Sequence, residues 1–304
     1  YDSGQLRPRP TTVIVYEHPL NERVRTYLRL EYLFRRFEWL LHREHPIEHH
    51  FCFSTVFEIA EVAARADLKS DLLKDLERHK QQFLSYRGNP AVAEAVLDEW
   101  LGNIEDCFEG IHSNAARFGG FINDQEWLSN LRNRMSIPGG TCGFDMPNYL
   151  AWQHKETQLR RDDLLRWTQP LQPLYASVNL LLRLSRDTAQ AQRVAAVGGQ
   201  FQQNLPQGRY QLMRLRFAAD TGLVPEISGN RLMVSGLSDD GGGLKDLLQP
   251  ATRPNHNLLV DHQLTVVITV VRAVLVLIDG EVFVRLAGQA GQRLPALRIG
   301  RRGD

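Results

Sequence analysis

Cysteine is scarce here, with only Cys52, Cys107 and Cys142 among 304 residues. Three thiols cannot make a paired disulfide framework and their spacing matches no zinc site, so a reducing, cytoplasmic setting is expected. An excess of one charge is also missing. Lys+Arg total 36 against 35 Asp+Glu, a formal net charge of +1, so no global field draws the chain to nucleic acid or anionic lipid. There is no Walker loop, no G-x-G-x-x-G behind a strand and no G-x-S-x-G elbow, which leaves nucleotide and serine-hydrolase chemistry without a signature. Tyr1–Pro10 contains no apolar run, and no secretory signal is expected from it. The one long hydrophobic stretch, Leu264–Ile278, is interrupted by Arg272 and is shorter than the ~20 residues a membrane-spanning helix needs. Its Val-rich composition favours strand, and no membrane insertion is expected.

What is present is globular. Hydrophobic residues make up 43% and charged residues 23% of a chain long enough for two modest domains. Leu20–Leu41 carries Val24, Tyr27, Leu28, Phe34, Phe37 and Leu41 at helical spacing, with Pro19 placed to open it. Asp67–Ser85 repeats Leu68, Leu72, Leu73, Leu76 and Phe83 before Gly88 and Pro90; Pro90 then opens a run through Val92, Val96, Trp100 and Leu101. Asn123 with Glu126 reads as a capping box for a helix carrying Trp127, Leu128 and Leu131, which Pro138-Gly139-Gly140 ends. Asp162–Thr168 and Pro173–Arg186 complete the helices. After Gly198-Gly199 the period changes: Met213, Leu215 and Phe217 alternate with Leu212, Arg214 and Arg216. Val224–Ile227 and Arg231–Ser235 flank Ser228-Gly229-Asn230, a hairpin signal.

The pattern predicts an α+β fold, an N-terminal helical domain followed by an antiparallel β domain. The expected parts are a disordered lead over 1–12, a mainly helical domain over 13–198 and a β-sheet domain over 199–235, the last open to strands from elsewhere in the chain. Residues 236–304 hold seven Arg but one Lys and one Glu. They read as an atypical extension, a lineage-specific addition or a shifted reading frame, expected to be dispensable and partly disordered.

Three patterns point to chemistry. His45-Pro46-Ile47-Glu48-His49 matches H-x-x-E-H, and a metal-dependent hydrolase built on His45, Glu48 and His49 is the alternative reading, set against an accidental match in an inter-helix loop. Cys142, in a Gly-rich turn twelve residues before His154, has the ingredients of a thiol nucleophile and a base, but a lone cysteine is more often a small buried hydrophobe. Arg25, Arg29 and Arg36 share a helical stripe, Arg132 and Arg134 end the helix before Pro138, and Arg214, Arg216 and Arg231 fall on strands. This spacing permits a basic groove without establishing that the side chains meet.

Two longer blocks are more specific. Tyr16-Glu17-His18-Pro19-Leu20-Asn21-Glu22-Arg23-Val24-Arg25-Thr26-Tyr27-Leu28-Arg29-Leu30-Glu31 resembles the N-terminal signature of the ZapD family of bacterial cell-division factors. Ser136-Ile137-Pro138-Gly139-Gly140-Thr141-Cys142-Gly143-Phe144-Asp145-Met146-Pro147, with Trp152 and His154 following, resembles that family's central signature. Tyr210–Phe217 and Pro225-Glu226-Ile227-Ser228-Gly229 are similar to its later strands, so the resemblance covers about Val13 to Ser235 in order.

The resemblance implies a symmetric homodimer with a helical and a β domain, without enzymatic activity or cofactor. It implies a cytoplasmic factor at the midcell division site that binds the acidic and apolar C-terminal tail of the tubulin-like protein FtsZ and bundles its filaments into the Z ring. Nucleic acid is not an expected partner. By the same resemblance the partner-binding residues are Arg25, Arg29, Arg117, Arg132, Arg134, His154 and Arg231. Positions that are basic in some members are Glu126 and Leu150 here, which removes positive charge from one side of the expected groove.

Overall fold

Helix α1 (Glu22–Leu41) begins where the sequence supplies a cap: the Asn21 side chain accepts the Val24 N–H at 3.0 Å. Pro19, expected to open this helix, instead ends strand β1 (Val13–Pro19), a Val-Ile-Val run that prefers the pleated surface. The computed structural model describes residues 12–90, 92–113, 118–187, 191–196, 200–204, 210–219, 224–229, 233–238, 264–270, 275–278 and 281–284. Residues 1–11 of the expected lead over 1–12, the Gly198-Gly199 junction, Asn230, Arg117, Arg231, Arg272 and the rest of the extension lie outside the described residues.

Among the described residues seven further helices follow: α2 (Pro46–Ala63), α3 (Leu68–Leu84), α4 (Glu94–Ser113), α5 (Glu126–Met135), α6 (Pro147–Gln153), α7 (Thr157–Thr168) and α8 (Gln172–Asp187). Short 3-10 turns lie at Gly120–Ile122 and Gln169–Leu171. α4 starts at Glu94, four residues after Pro90. α5 does open on Glu126, but Gln125 precedes it without a side-chain cap, and Asn123 closes the 3-10 turn instead. α2 is the main surprise. Pro46 occupies its first turn, where a missing N–H costs nothing, and Phe53, Val56, Phe57, Ile59 and Ala60 are buried along it. It packs against α5 and α7. A helix that is apolar on most sides is a central one, and its weak amphipathic period hides it from pattern reading.

The strands are β2 (Ala191–Ala196), β3 (Gln200–Asn204), β4 (Leu212–Ala218), β5 (Pro225–Gly229), β6 (Met233–Ser238), β7 (Leu264–Val270), β8 (Leu275–Ile278) and β9 (Glu281–Val284), and every pairing is antiparallel. One sheet runs β1-β4-β7-β2, a second β3-β6-β5, and β8 pairs with β9. In β4 the expected alternation is present: Met213, Leu215 and Phe217 are buried while Arg216 is exposed. The hairpin turn lies later than the sequence implied, because Ser228 and Gly229 are strand residues opposite Ser235 and Val234.

The Val-rich run is strand, and no described helix is long and apolar enough to cross a membrane. Its place differs from an extension apart from the fold: β7 lies between β4 and β2, pairing Arg216 with Val267 on one side and Val194 with Val266 on the other.

The chain falls into two compact units, one containing Thr26–Leu184 and the other Tyr1–Arg25 with Ser185–Val274. In the sheet-bearing unit, Glu17 sits opposite Arg214 across β1 and β4, at 2.9 Å, and takes a second ion pair from Arg186 at 2.6 Å. Burial raises the Glu17 carboxyl pKa, but hydrogen bonds and charge from Arg186 and Arg214 outweigh that and hold it below the ordinary value.

Candidate partner-binding site

The helical unit builds a stiff platform from aromatic side chains. Phe53 of α2 meets Trp127 of α5 at 5.6 Å, Trp152 of α6 at 4.9 Å and Trp167 of α7 at 5.7 Å between ring centroids. Trp127 stacks on Trp167 at 4.7 Å and Tyr149 on Trp152 at 5.9 Å. Tyr149 is fully buried and its hydroxyl lies 2.8 Å from His50 Nδ1. Each such ring contributes a large apolar area plus pair geometry, so α5 and α6 are held firmly on α2.

Between α5 and α6, residues 136–146 form a chain of turns. Gly140 N–H donates to the Ile137 carbonyl, Cys142 N–H to Gly139, and both Asp145 and Met146 N–H to Cys142. Gly139 adopts φ 69°, a conformation that L side chains rarely take. A Cβ at Gly140 would come within 2.5 Å of the Arg134 carbonyl oxygen, and one at Gly143 within 2.7 Å of Leu150. Glycine is therefore required by conformation at Gly139 and by close backbone approach at Gly140. The Cys142 thiol donates to Asp145 Oδ2 at 3.3 Å, so it is a turn residue rather than half of a thiol–base pair with His154. This stiff loop displays Phe144, 88% exposed, and Ile137, 50% exposed, while α6 adds Leu150 at 41%.

Arg160 on α7 locks the other end of α6. Buried among polar partners, it donates to His49 Nδ1 at 3.0 Å, to the Gln153 and Lys155 carbonyls, to the Glu44 carbonyl at 2.5 Å and to Thr157 Oγ1. His49 Nε2 donates in turn to the Arg43 carbonyl at 3.0 Å. That pattern fixes a neutral imidazole, and burial, with the Arg160 charge, lowers its pKa.

The H-x-x-E-H match is thus structural. His45 is the N-cap of α2, its Nδ1 accepting from Ile47 N–H at 3.2 Å, and Glu48 closes the capping box on the His45 N–H at 3.1 Å. Both ring nitrogens of His49 are committed elsewhere, and among the described residues no three His, Cys, Asp or Glu side chains gather as a metal-binding group. The motif reading as an inter-helix loop gives way to the first turn of a helix.

Of the sequence-derived site residues, Arg132 and Arg134 occupy the last turn of α5, Arg134 lying 3.8 Å from Asp145 in the loop. His154 caps the C-terminal end of α6, where its N–H donates to Leu150. These three belong to the α5–loop–α6 segment. Arg25 pairs with Glu22 on its own helix at 3.1 Å. Arg29 is exposed in a groove between α1 and α2 with Tyr32, Leu33, Glu58, Glu61, Val62 and Arg65, a lining without any α5 or α6 residue. Arg36, on the same stripe, is tied to Glu58 at 2.6 Å and Thr55 at 2.9 Å. Among the described residues, Arg29, Arg132 and His154 have no carboxylate partner. Glu126 is exposed in the first turn of α5, at the opposite end from Arg132 and Arg134.

Sequence reading missed Phe144 and Ile137 as exposed apolar groups, and Arg160 altogether. A phenylalanine between Gly143 and Asp145, inside a turn-rich block, was the available signal for the first. A family model described as ZapD, a cell division protein, matches residues 28–235, about two thirds of the chain.

Proposed function

We propose that this chain, which belongs to the ZapD family of cell division proteins, is a non-enzymatic cytoplasmic factor that binds the C-terminal tail of FtsZ and bundles its filaments at midcell. The observation that supports this reading is the α5–loop–α6 segment, which carries Arg132, Arg134 and His154 together with the exposed apolar groups Ile137, Phe144 and Leu150. Carboxylates of an acidic tail would take charge-assisted hydrogen bonds from these donors, while the apolar groups cover its hydrophobic residues. Arg29, in the separate α1–α2 groove, completes the proposed set with Arg25, Arg117 and Arg231.

Bundling needs two such sites per particle. In this proposal the chain is a symmetric homodimer whose sheet forms a separate β domain, and the two-fold axis relates two tail sites. Each contact can be modest, because a filament displaying many tails raises the effective concentration at the second site.

The test is sedimentation of FtsZ polymers with the parent chain and with Arg29→Glu and Arg134→Glu, at moderate salt. Loss of pelleted bundles with unchanged circular dichroism and unchanged particle mass is the expected result. Full pelleting with both variants would reject the basic surface. Light scattering that gives a monomer mass for the parent would reject the crosslinking geometry.

A further inference from the structure

We infer that Phe144, with Leu150 under the adjoining Gly143 and Ile137 in the same run of turns, is an apolar seat for one hydrophobic side chain of an anionic peptide; the inference rests on the tail-binding reading above. Single exposed apolar residues are ordinary. Here three of them lie within one short segment, and Phe144 keeps 88% of its surface in solvent. Leu150 lies directly under Gly143, so the loop tip and the α6 residue share a face. Ile137 packs beside Gly140 within the same turns.

Two features make this a built surface. The loop is preorganised by its turn hydrogen bonds, by Gly139 at φ 69° and by the close approaches at Gly140 and Gly143. Little conformational freedom is then lost when Phe144 is covered. The surroundings also select the partner. Arg134, 3.8 Å from Asp145, and His154, which follows Leu150 by one helical turn, put a guanidinium and an imidazole in the same segment as the apolar seat. Charge complementarity therefore favours a peptide that alternates carboxylates with hydrophobic side chains over a purely apolar partner. Phe144 is the affinity anchor, and the cations set orientation and charge preference.

The experiment measures anisotropy of a fluorescein-labelled peptide of the FtsZ C-terminal tail, titrated with full-length parent, Phe144→Ala and Phe144→Leu. A second peptide carries Ser in place of every apolar residue. Phe144→Ala is expected to weaken the native peptide about tenfold to a hundredfold and Phe144→Leu much less. The weaker binding of the Ser peptide should be the same for all three proteins. Equal affinity of parent and Phe144→Ala for the native peptide overturns the inference, as does an equal loss on both peptides. So does conversion of a parent dimer to monomer by Phe144→Ala with peptide affinity unchanged, which would give this seat to a second copy of the chain. If the parent binds neither peptide at low salt, the tail-binding reading itself fails, and the seat with it.

Discussion

Replacing Arg160 by Met removes a guanidinium that satisfies His49 Nδ1, the carbonyls of Glu44, Gln153 and Lys155, and the Thr157 hydroxyl at once. Each buried acceptor left unpaired costs about 1–3 kcal/mol, although water can reach those on exposed Glu44 and Lys155. Loss of the buried charge itself offsets part of the penalty. The net expectation is a destabilisation of about 3 kcal/mol, or roughly 6–12 °C in Tm for a unit of this size. Arg160→Lys keeps the charge but not the planar fork and should lose about half as much. Urea unfolding followed by tryptophan fluorescence is a suitable assay, since the Trp152 ring lies 6.4 Å from that of His49. The pH profile adds a second readout. His49 has a lowered pKa, so parent stability is full above about pH 6.5 and falls as pH drops below it, where only the unfolded chain takes the proton. Without the Arg160 charge that fall should be shallower. A Met variant within about 0.5 kcal/mol of the parent would refute the clamp.

The remaining predictions concern the helix cap and the sheet. His45→Ala should cost about 0.5–2 kcal/mol through loss of the α2 cap and leave zinc content unchanged; zinc lost stoichiometrically with the substitution would revive the metal reading. Glu17→Gln leaves Arg186 and Arg214 facing one another and should cost about 1–3 kcal/mol at neutral pH. Because the Glu17 pKa is lowered, its contribution is complete above about pH 4.5 and is lost as pH falls through the folded value, so the two proteins should converge in acid. A chain ending at Ser238 lacks β7, leaves an edge of β4 open and deprives β2 of its partner, and should aggregate. A soluble product with undiminished strand signal would restore the view that residues after Ser235 are dispensable.

The parts of the fold that sequence reveals are those whose cause is local. α1 and α3 announce themselves by apolar spacing, and β4 by alternation of Met213, Leu215 and Phe217 with polar neighbours. α2 escapes because apolar Ile47 and Phe51 lie on its exposed side while Phe53, Val56, Phe57 and Ile59 are buried, leaving little periodicity to detect. Arg160 escapes for a different reason. In Thr157-Gln-Leu-Arg-Arg-Asp-Asp it looks like one more solvated cation, and its acceptors include Glu44, more than a hundred residues earlier. For the partner site, Arg132 and Arg134 at a helix end were legible, as were the loop glycines. Which charges share a face was not, because that depends on packing among helices distant in sequence. Arg29 and Arg134 illustrate this, one lying in the α1–α2 groove and the other at the loop beside Asp145.

The most direct measurement compares co-sedimentation of the full-length chain with polymers of intact FtsZ and of FtsZ lacking its C-terminal peptide. Pelleting of chain and bundled filaments with the intact protein, and return of the chain to the supernatant with the truncated one, is the predicted outcome. Equal bundling of both polymers would contradict the account.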